Sequence, residues 1–131
     1  GVERAWVVRS VDGLDEVSPF AETRVTVVEQ GKLSQHVVTP ESFGFAVSPP
    51  GAIAGGDPAD NAKALTAILS GEKHPAADAV ALNAAAALAL FHGMSEREAG
   101  AQAREVLASG KAMKTLDTWA SAAQQRRPQK G

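Results

Sequence analysis

The chain contains no cysteine among its 131 residues, which excludes disulfides, thiolate nucleophiles and zinc sites built on cysteine. Tyrosine is also missing, and aromatic residues make up only 5% of the chain, so aliphatic and alanine side chains must fill most of any core. The longest apolar run, 84–91, is far below the ~20 residues that span a bilayer. The first residues alternate charged and apolar side chains, unlike the apolar centre of a secretory signal. Neither sign of charge dominates: 13 basic residues stand against 15 acidic ones. A net charge of -2 offers no general attraction to nucleic acid or to an anionic membrane surface. A phosphate-bearing substrate would need a metal ion or a few placed cations. The cysteine count is compatible with the cytoplasm, which is the expected location.

What is present is ordinary for one folded domain: 44% hydrophobic and 21% charged residues. Ala5, Trp6, Val7 and Val8 form a short apolar run between Arg4 and Arg9, the pattern of a buried strand. Asp12-Gly13 reads as a turn. Over 23–30 the residues are β-branched and alternate, with Val25 and Val27 on one face and Arg24 and Thr26 on the other. Gly31 then supplies a turn and 32–39 resumes in extended form, which predicts a hairpin. Residues 40–56 are rich in Pro and Gly and read as loop.

Helices follow. Asp57-Pro58 is a start signal, with Asp capping free amides and Pro suited to the first turn. Ala62, Leu65, Ile68 and Leu69 give that helix its apolar stripe, and Gly71 ends it. Residues 76–91 are apolar on nearly all sides and predict a buried helix with Leu88 in its core, stopped by His92-Gly93. Ser95 with Glu98 makes a capping box for a helix striped by Ala99, Ala103, Val106 and Leu107. A last helix over 112–123 carries Met113, Leu116 and Trp119. The segment QQRRPQKG, 124–131, is polar, basic and broken by Pro, and reads as a flexible tail. Strands first and packed helices after fit either an α+β domain or a piece of a larger α/β domain. The chain opens at Gly1 directly into apparent strand, as a piece of a longer polypeptide would.

The most chemical stretch is 12–18. Asp12, Asp15 and Glu16 lie within five positions, directly after a strand and beside a flexible turn. Mg²⁺ takes one or two carboxylates and completes its shell with water and substrate phosphate. Adjacent Asp15 and Glu16 on a loop can converge on such an ion, whereas on a strand they would face opposite ways. On spacing alone, a solvated acidic turn is the commoner outcome. Gly55-Gly56-Asp57 has the look of a phosphate loop at a helix N-terminus, but Asp57 would repel phosphate and a capped helix start explains it better. Asn83, inside an apolar helix, needs a hydrogen-bond partner, and a tie to a neighbouring loop accounts for it more simply than a ligand does. His36, His74 and His92 lack metal-ligand spacing and read as surface or helix-end residues. Arg9 suits either a phosphate or Asp12. Ser10 and Ser18 have no partner for nucleophilic catalysis, and Trp6 and Trp119 read as core.

Several stretches resemble one family in order and spacing. ERAWVVRSVDGLDEVS resembles the anthranilate phosphoribosyltransferase segment in which a strand delivers an Asp-Glu pair to the active site. TPESFGF, GGDPADNA, LSGEKHPAADAVALNAAAAL and SGKAMKTLDTW resemble the landmarks that follow, so the likeness runs over 1–122. It implies that the chain is the C-terminal part of the large mixed-sheet α/β domain of the nucleoside-phosphorylase and phosphoribosyltransferase type, occupying 1–123. It implies transfer of phosphoribosyl from phosphoribosyl pyrophosphate to anthranilate in tryptophan biosynthesis, with Asp15 and Glu16 holding Mg²⁺. The family's glycine-rich phosphate loop and anthranilate-binding residues would lie in a missing N-terminal part, and the whole protein would be a homodimer. One departure stands out: Arg9-Ser10 replaces the family's usual His-Gly or His-Ser. A related transferase with another acceptor, or a non-catalytic assembly module, are the alternatives.

Overall fold

A computed structural model of the chain describes residues 2–126. Three strands, β1 (Arg4–Ser10), β2 (Thr23–Glu29) and β3 (Lys32–Val38), form one antiparallel sheet in the order β1-β2-β3. The expected hairpin is β2-β3. Gln30 and Gly31 both take positive φ, 49° and 76°, the left-handed pair that a two-residue turn between twisted strands requires. The register runs from Glu29↔Lys32 to Thr23↔Val38, and β1 adds on the other side from Arg4↔Glu29 to Ser10↔Thr23.

Period-two alternation divides the sheet into two faces. Ser10, Thr23, Val25 and Val38 lie on one and are buried. Val7, Arg9, Arg24, Leu33 and Val37 lie on the other and are exposed. The expectation that β1 is a fully buried strand is therefore corrected. Among the described residues it is an edge strand with one open face, which leaves Val7 61% exposed; Trp6, on the covered face, is half-buried.

After β3 the chain makes a short 3-10 turn at Pro40–Phe43, with Gly44 in the left-handed conformation behind it. The stretch expected to be loop thus plants two aromatic side chains, Phe43 and Phe45, in the core. Four helices complete the fold: α1 (Pro58–Leu69), α2 (Ala77–His92), α3 (Glu96–Ala108) and α4 (Lys111–Gln125). None is long and apolar enough to cross a membrane.

The described residues group into two compact units. One takes the chain through Ala54 together with Pro75–Glu105, and the other takes Gly55–His74 together with the residues from Val106 onward. In the first, α2 packs on β1 and on the 3-10 turn through Ala79, Ala81, Leu82, Ala85, Ala86 and Ala89. Small side chains let the helix approach closely, and only Leu82 supplies bulk. The expectation of a helix buried all round is corrected: Ala84 and Ala87 are exposed, Leu88 is half-buried and Phe91 is 82% exposed. On α3 the buried face is Ala99, Gly100 and Ala103. A methyl group at Gly100 would collide with the Phe43 carbonyl oxygen, so glycine is required by close approach rather than by flexibility. Arg104 fixes the same region: its guanidinium lies 3.9 Å from the Phe45 ring centroid and donates to Gly44 O at 2.8 Å.

In the second unit α1 packs against α4. Asp57 caps α1 as expected, accepting from the amides of Ala59 at 2.8 Å and Asp60 at 2.9 Å. Ile68 is buried, but α4 has no buried residue, and Trp119, expected in the core, is 72% exposed. The helix reaches Gln125, two residues into the expected tail, with Arg126 as its C-cap; residues 127–131 of that tail lie outside the described residues.

Candidate functional site

The segment between β1 and β2 is a loop with its own hydrogen-bond frame. Ser10 N donates to Leu14 O at 3.0 Å and Val11 N to Glu22 O at 3.0 Å, so the two strand ends hold the base of the loop together. Ser18, fully buried, stands at its centre. Its backbone N–H donates to Thr23 Oγ1 at 3.0 Å, and its hydroxyl donates to Asp12 Oδ2 at 2.7 Å. The same hydroxyl oxygen accepts from the amides of Phe20 at 3.0 Å and Ala21 at 3.2 Å. Ser10 is likewise structural, its hydroxyl donating to Glu22 O at 3.1 Å.

The three carboxylates thereby separate into two kinds. Asp12 is engaged within the loop, also accepting from Leu14 N at 3.4 Å. The hydroxyls of Ser10 and Ser18 beside it hold its carboxyl below the usual range. Since Ser10 directs its own proton to Glu22 O, Ser18 is the firm donor of the two. Asp15 is exposed and Glu16 is half-exposed, and among the described residues neither takes part in a hydrogen bond or an ion pair.

The residue after Glu16 is anchored from a distance. Asn83, on α2, accepts from Val17 N at 2.9 Å and donates to Val17 O at 3.0 Å, a two-way clasp across 66 positions of sequence. Its amide also donates to Ala79 O at 3.1 Å. The amide expected to tie a neighbouring loop does so, and the loop it ties is the one bearing Asp15 and Glu16. A helix that is itself packed on β1 thus fixes the backbone beside the pair.

The donor set suits a hard cation: two adjacent carboxylates, free of protein partners, on a restrained backbone. No group of three or more His, Cys, Asp or Glu side chains that could hold a metal occurs among the described residues. A site here would therefore depend on water or substrate oxygens for the rest of its shell.

The remaining candidates fall elsewhere. At Gly55-Gly56 the helix amides are taken by Asp57, and Asn61 folds back to accept from Gly56 N at 2.9 Å, which closes that route to phosphate. Arg9 does not pair with Asp12; it stands on the open sheet face across from Arg24. His36 keeps part of its side chain at the surface, as expected, but its Nε2 is enclosed. It lies edge-on to Trp6 at 5.5 Å with its Nε2 buried and 3.9 Å from Glu96 Oε1. His92 ends α2, edge-on to Phe91 at 4.9 Å, and His74 lies in the segment before α2. The roles of Ser18 and Thr23 as the frame of the loop were not read from the sequence, because nothing in their spacing marks a buried hydroxyl.

Fold and loop together define a class. The chain belongs to the glycosyl transferase family, a/b domain, which it matches over residues 1–113. Within that class its likeness is to anthranilate phosphoribosyltransferases, as the motifs imply. The enzyme of that name from Methylobacterium radiotolerans is 39% identical over 117 residues, covering 88% of this chain and 34% of its own length. The Saccharomyces cerevisiae enzyme in complex with 4-fluoroanthranilate superposes with a TM-score of 0.80 at 30% identity, over 87% of this chain and 34% of that one. The yeast enzyme in complex with PRPP and Mg gives a TM-score of 0.78 at 29% identity, over 86% of this chain and 33% of that one. The chain spans about a third of the length of these relatives.

Proposed function

We propose that the chain is the part of an anthranilate phosphoribosyltransferase that presents a Mg²⁺-binding pair, Asp15 and Glu16, to phosphoribosyl pyrophosphate. In the overall reaction the anthranilate amine bonds to ribose C1 as the C1–O bond to pyrophosphate breaks with its electron pair, and the nitrogen gives up a proton. Bound at the pair, Mg²⁺ would supply positive charge against the departing pyrophosphate. The residues described here prepare that position without touching substrate. The hydroxyls of Ser10 and Ser18 hold the Asp12 carboxyl below its usual range, and Ser18 donates to it directly, which leaves Asp15 and Glu16 as the carboxylates of 12–18 without a protein partner. Asn83 holds Val17 by both backbone polar groups, which restrains Glu16 and lowers the ordering needed when a ligand arrives. The pair contributes -2 of charge, which a divalent cation held by Asp15 and Glu16 would offset beside the anionic substrate.

The observation that carries this reading is the division of labour in the loop: one carboxylate engaged, two adjacent ones free, in a chain of this family. The anthranilate site and the remaining phosphate contacts belong to the portion of the whole protein beyond these 131 residues, and this chain alone is expected to be inactive.

The test is the double substitution Asp15→Asn with Glu16→Gln in the whole protein, which keeps shape and removes both charges. Turnover should fall by roughly two orders of magnitude, the scale of losing a major electrostatic stabiliser. The melting temperature should stay nearly fixed, because exposed loop carboxylates contribute little to stability. Raising Mg²⁺ should recover part of the loss. Normal turnover at low Mg²⁺ would reduce the pair to an acidic turn and remove the reading.

A further inference from the structure

Asp12 stands directly before Gly13, and no other Asp and no Asn in the chain is followed by glycine. Such a step carries a latent reaction of its own. The Gly13 nitrogen, giving up its proton, can bond to Asp12 Cγ while the carboxyl hydroxyl leaves with its electron pair and takes up a proton as water. The five-membered imide that results is reopened by water at either carbonyl. Attack at Cγ restores aspartate. Attack at the main-chain carbonyl breaks its bond to the Gly13 nitrogen and leaves isoaspartate, in which the backbone runs through Cβ and Cγ. Glycine puts no side chain beside its nitrogen, and nothing lies within 4 Å of where a Cβ at Gly13 would stand. Both residues are exposed, so water reaches them.

The folded loop occupies each group that ring closure needs. Gly13 N–H donates to Ser10 O at 3.3 Å. Asp12 Oδ2 accepts from the Ser18 hydroxyl at 2.7 Å and Oδ1 from Leu14 N at 3.4 Å, while Asp12 N donates to Ser10 Oγ at 3.4 Å. Hydrogen bonds donated to a carboxylate favour its ionised form, and that form is a poor electrophile with no hydroxyl to lose. The bond from Ser18 is the shortest of the four, and Ser18 is itself fully buried and held through its N–H by Thr23 Oγ1 at 3.0 Å.

We propose that Asp12-Gly13 is a site of isoaspartate formation that the folded loop holds closed, with Ser18 as the residue that closes it. Modification then proceeds through local opening of the loop, at a rate set by the open fraction. On the reading of Asp15 and Glu16 as a metal pair, the change falls where it matters. One extra backbone atom enters three residues before Asp15, within the span closed by the bond from Ser10 N to Leu14 O.

The test is slow ageing of the whole protein at neutral pH, followed by digestion and mass spectrometry that separates aspartate from isoaspartate at position 12. Modification should be at least about tenfold slower in the folded protein than in the same protein unfolded in guanidinium chloride. Ser18→Ala deletes the donor and should speed it several-fold, with hydrogen exchange in β2 showing that the sheet stays formed. Should Ser18→Ala fail to fold, Ser18→Cys keeps the shape with a weaker donor and is expected to act in the same direction. Equal rates in the folded and unfolded protein would overturn the proposal. So would a folded Ser18 variant modified at the natural rate. Neither readout uses turnover or Mg²⁺, so normal turnover of the Asp15→Asn, Glu16→Gln protein would remove the metal reading and leave the contrast in modification standing.

Discussion

The sheet unit is richer in large apolar residues than the helical unit, and the two also differ in how completely they bury those they have. In the sheet unit Phe43, Leu82, Val17, Val25 and Val38 are all fully enclosed, and Ala85 and Ala99 have no exposed surface. In the helical unit Ile68 is buried, while Leu65 and Trp119 remain open to solvent. Stability in the first comes from tertiary burial; in the second it depends much more on caps and helix propensity, such as Asp57 at the start of α1. Composition points the same way, with fewer large apolar residues in the helical unit. The difference lies in whether a second layer covers the stripe.

The largest effect should come from placing a charge in each unit. Leu82→Asp buries an unpaired carboxylate and should destabilise by about 4 kcal/mol or more, enough to unfold the sheet unit. Leu65→Asp, on the open side of α1, should change stability by less than ~1 kcal/mol. Urea unfolding of both proteins would measure the contrast, and equal losses would break it.

Asn83→Ala is the next largest. It removes both hydrogen bonds to Val17 and leaves buried backbone groups unpaired, at a cost of about 1–3 kcal/mol. Fluorescence or heat-monitored unfolding would register this as a lowered midpoint, and an unchanged midpoint would mean that water replaces the clasp without loss.

How much of this was legible in the sequence follows from the range of each interaction. The β2-β3 hairpin was readable because Val25, Val27 and Gly31 encode alternation and turn within a few positions. The partner of β1 was not, because the loop from Val11 to Glu22 has no hairpin signature, and the apolar run at Ala5 to Val8 reads as buried whichever face is covered. The aromatic plug of Phe43 and Phe45 was hidden by the surrounding Pro and Gly, and its complement at Gly100 can be recognised only in three dimensions. Of the site, the Asp15–Glu16 pair came from motif resemblance, and the need of Asn83 for a partner came from its apolar surroundings. The lock of Asp12 by Ser18 required coordinates: a buried serine leaves no periodic trace.

Acid should expose that lock as a smaller effect. The carboxyl of Asp12 is lowered in the folded chain, first by Ser10 and then by Ser18, so the stability it contributes is present above its unfolded value near ~3.9. That contribution is lost as pH falls through the folded value. Unfolding midpoints followed from pH 6 downward should decline more steeply for the natural chain than for Asp12→Asn, in which the group cannot titrate. Parallel curves would show that the hydroxyls do not discriminate between ionised and neutral forms.

The smallest change is expected from Trp119→Ala. Despite its size, an exposed indole on a helix without buried residues should contribute within ~0.5 kcal/mol. A loss comparable to that of Leu82 would reveal a cover over α4 and erase the contrast between the units.

The clasp from Asn83 to Val17 also sets the order in which the loop can be completed. Local pairings such as β2-β3 can close early, since two turn residues separate the strands. The clasp joins positions 66 apart, and its closure must wait until α2 has formed and reached the sheet, because the entropy of so long a loop is recovered only by docking. A chain with its hairpin formed but α2 undocked would have the carboxylates of Asp15 and Glu16 on an unrestrained backbone. The acidic pair therefore acquires its fixed setting among the last steps of folding, and a nascent chain that stops short of α2 has the residues without their frame.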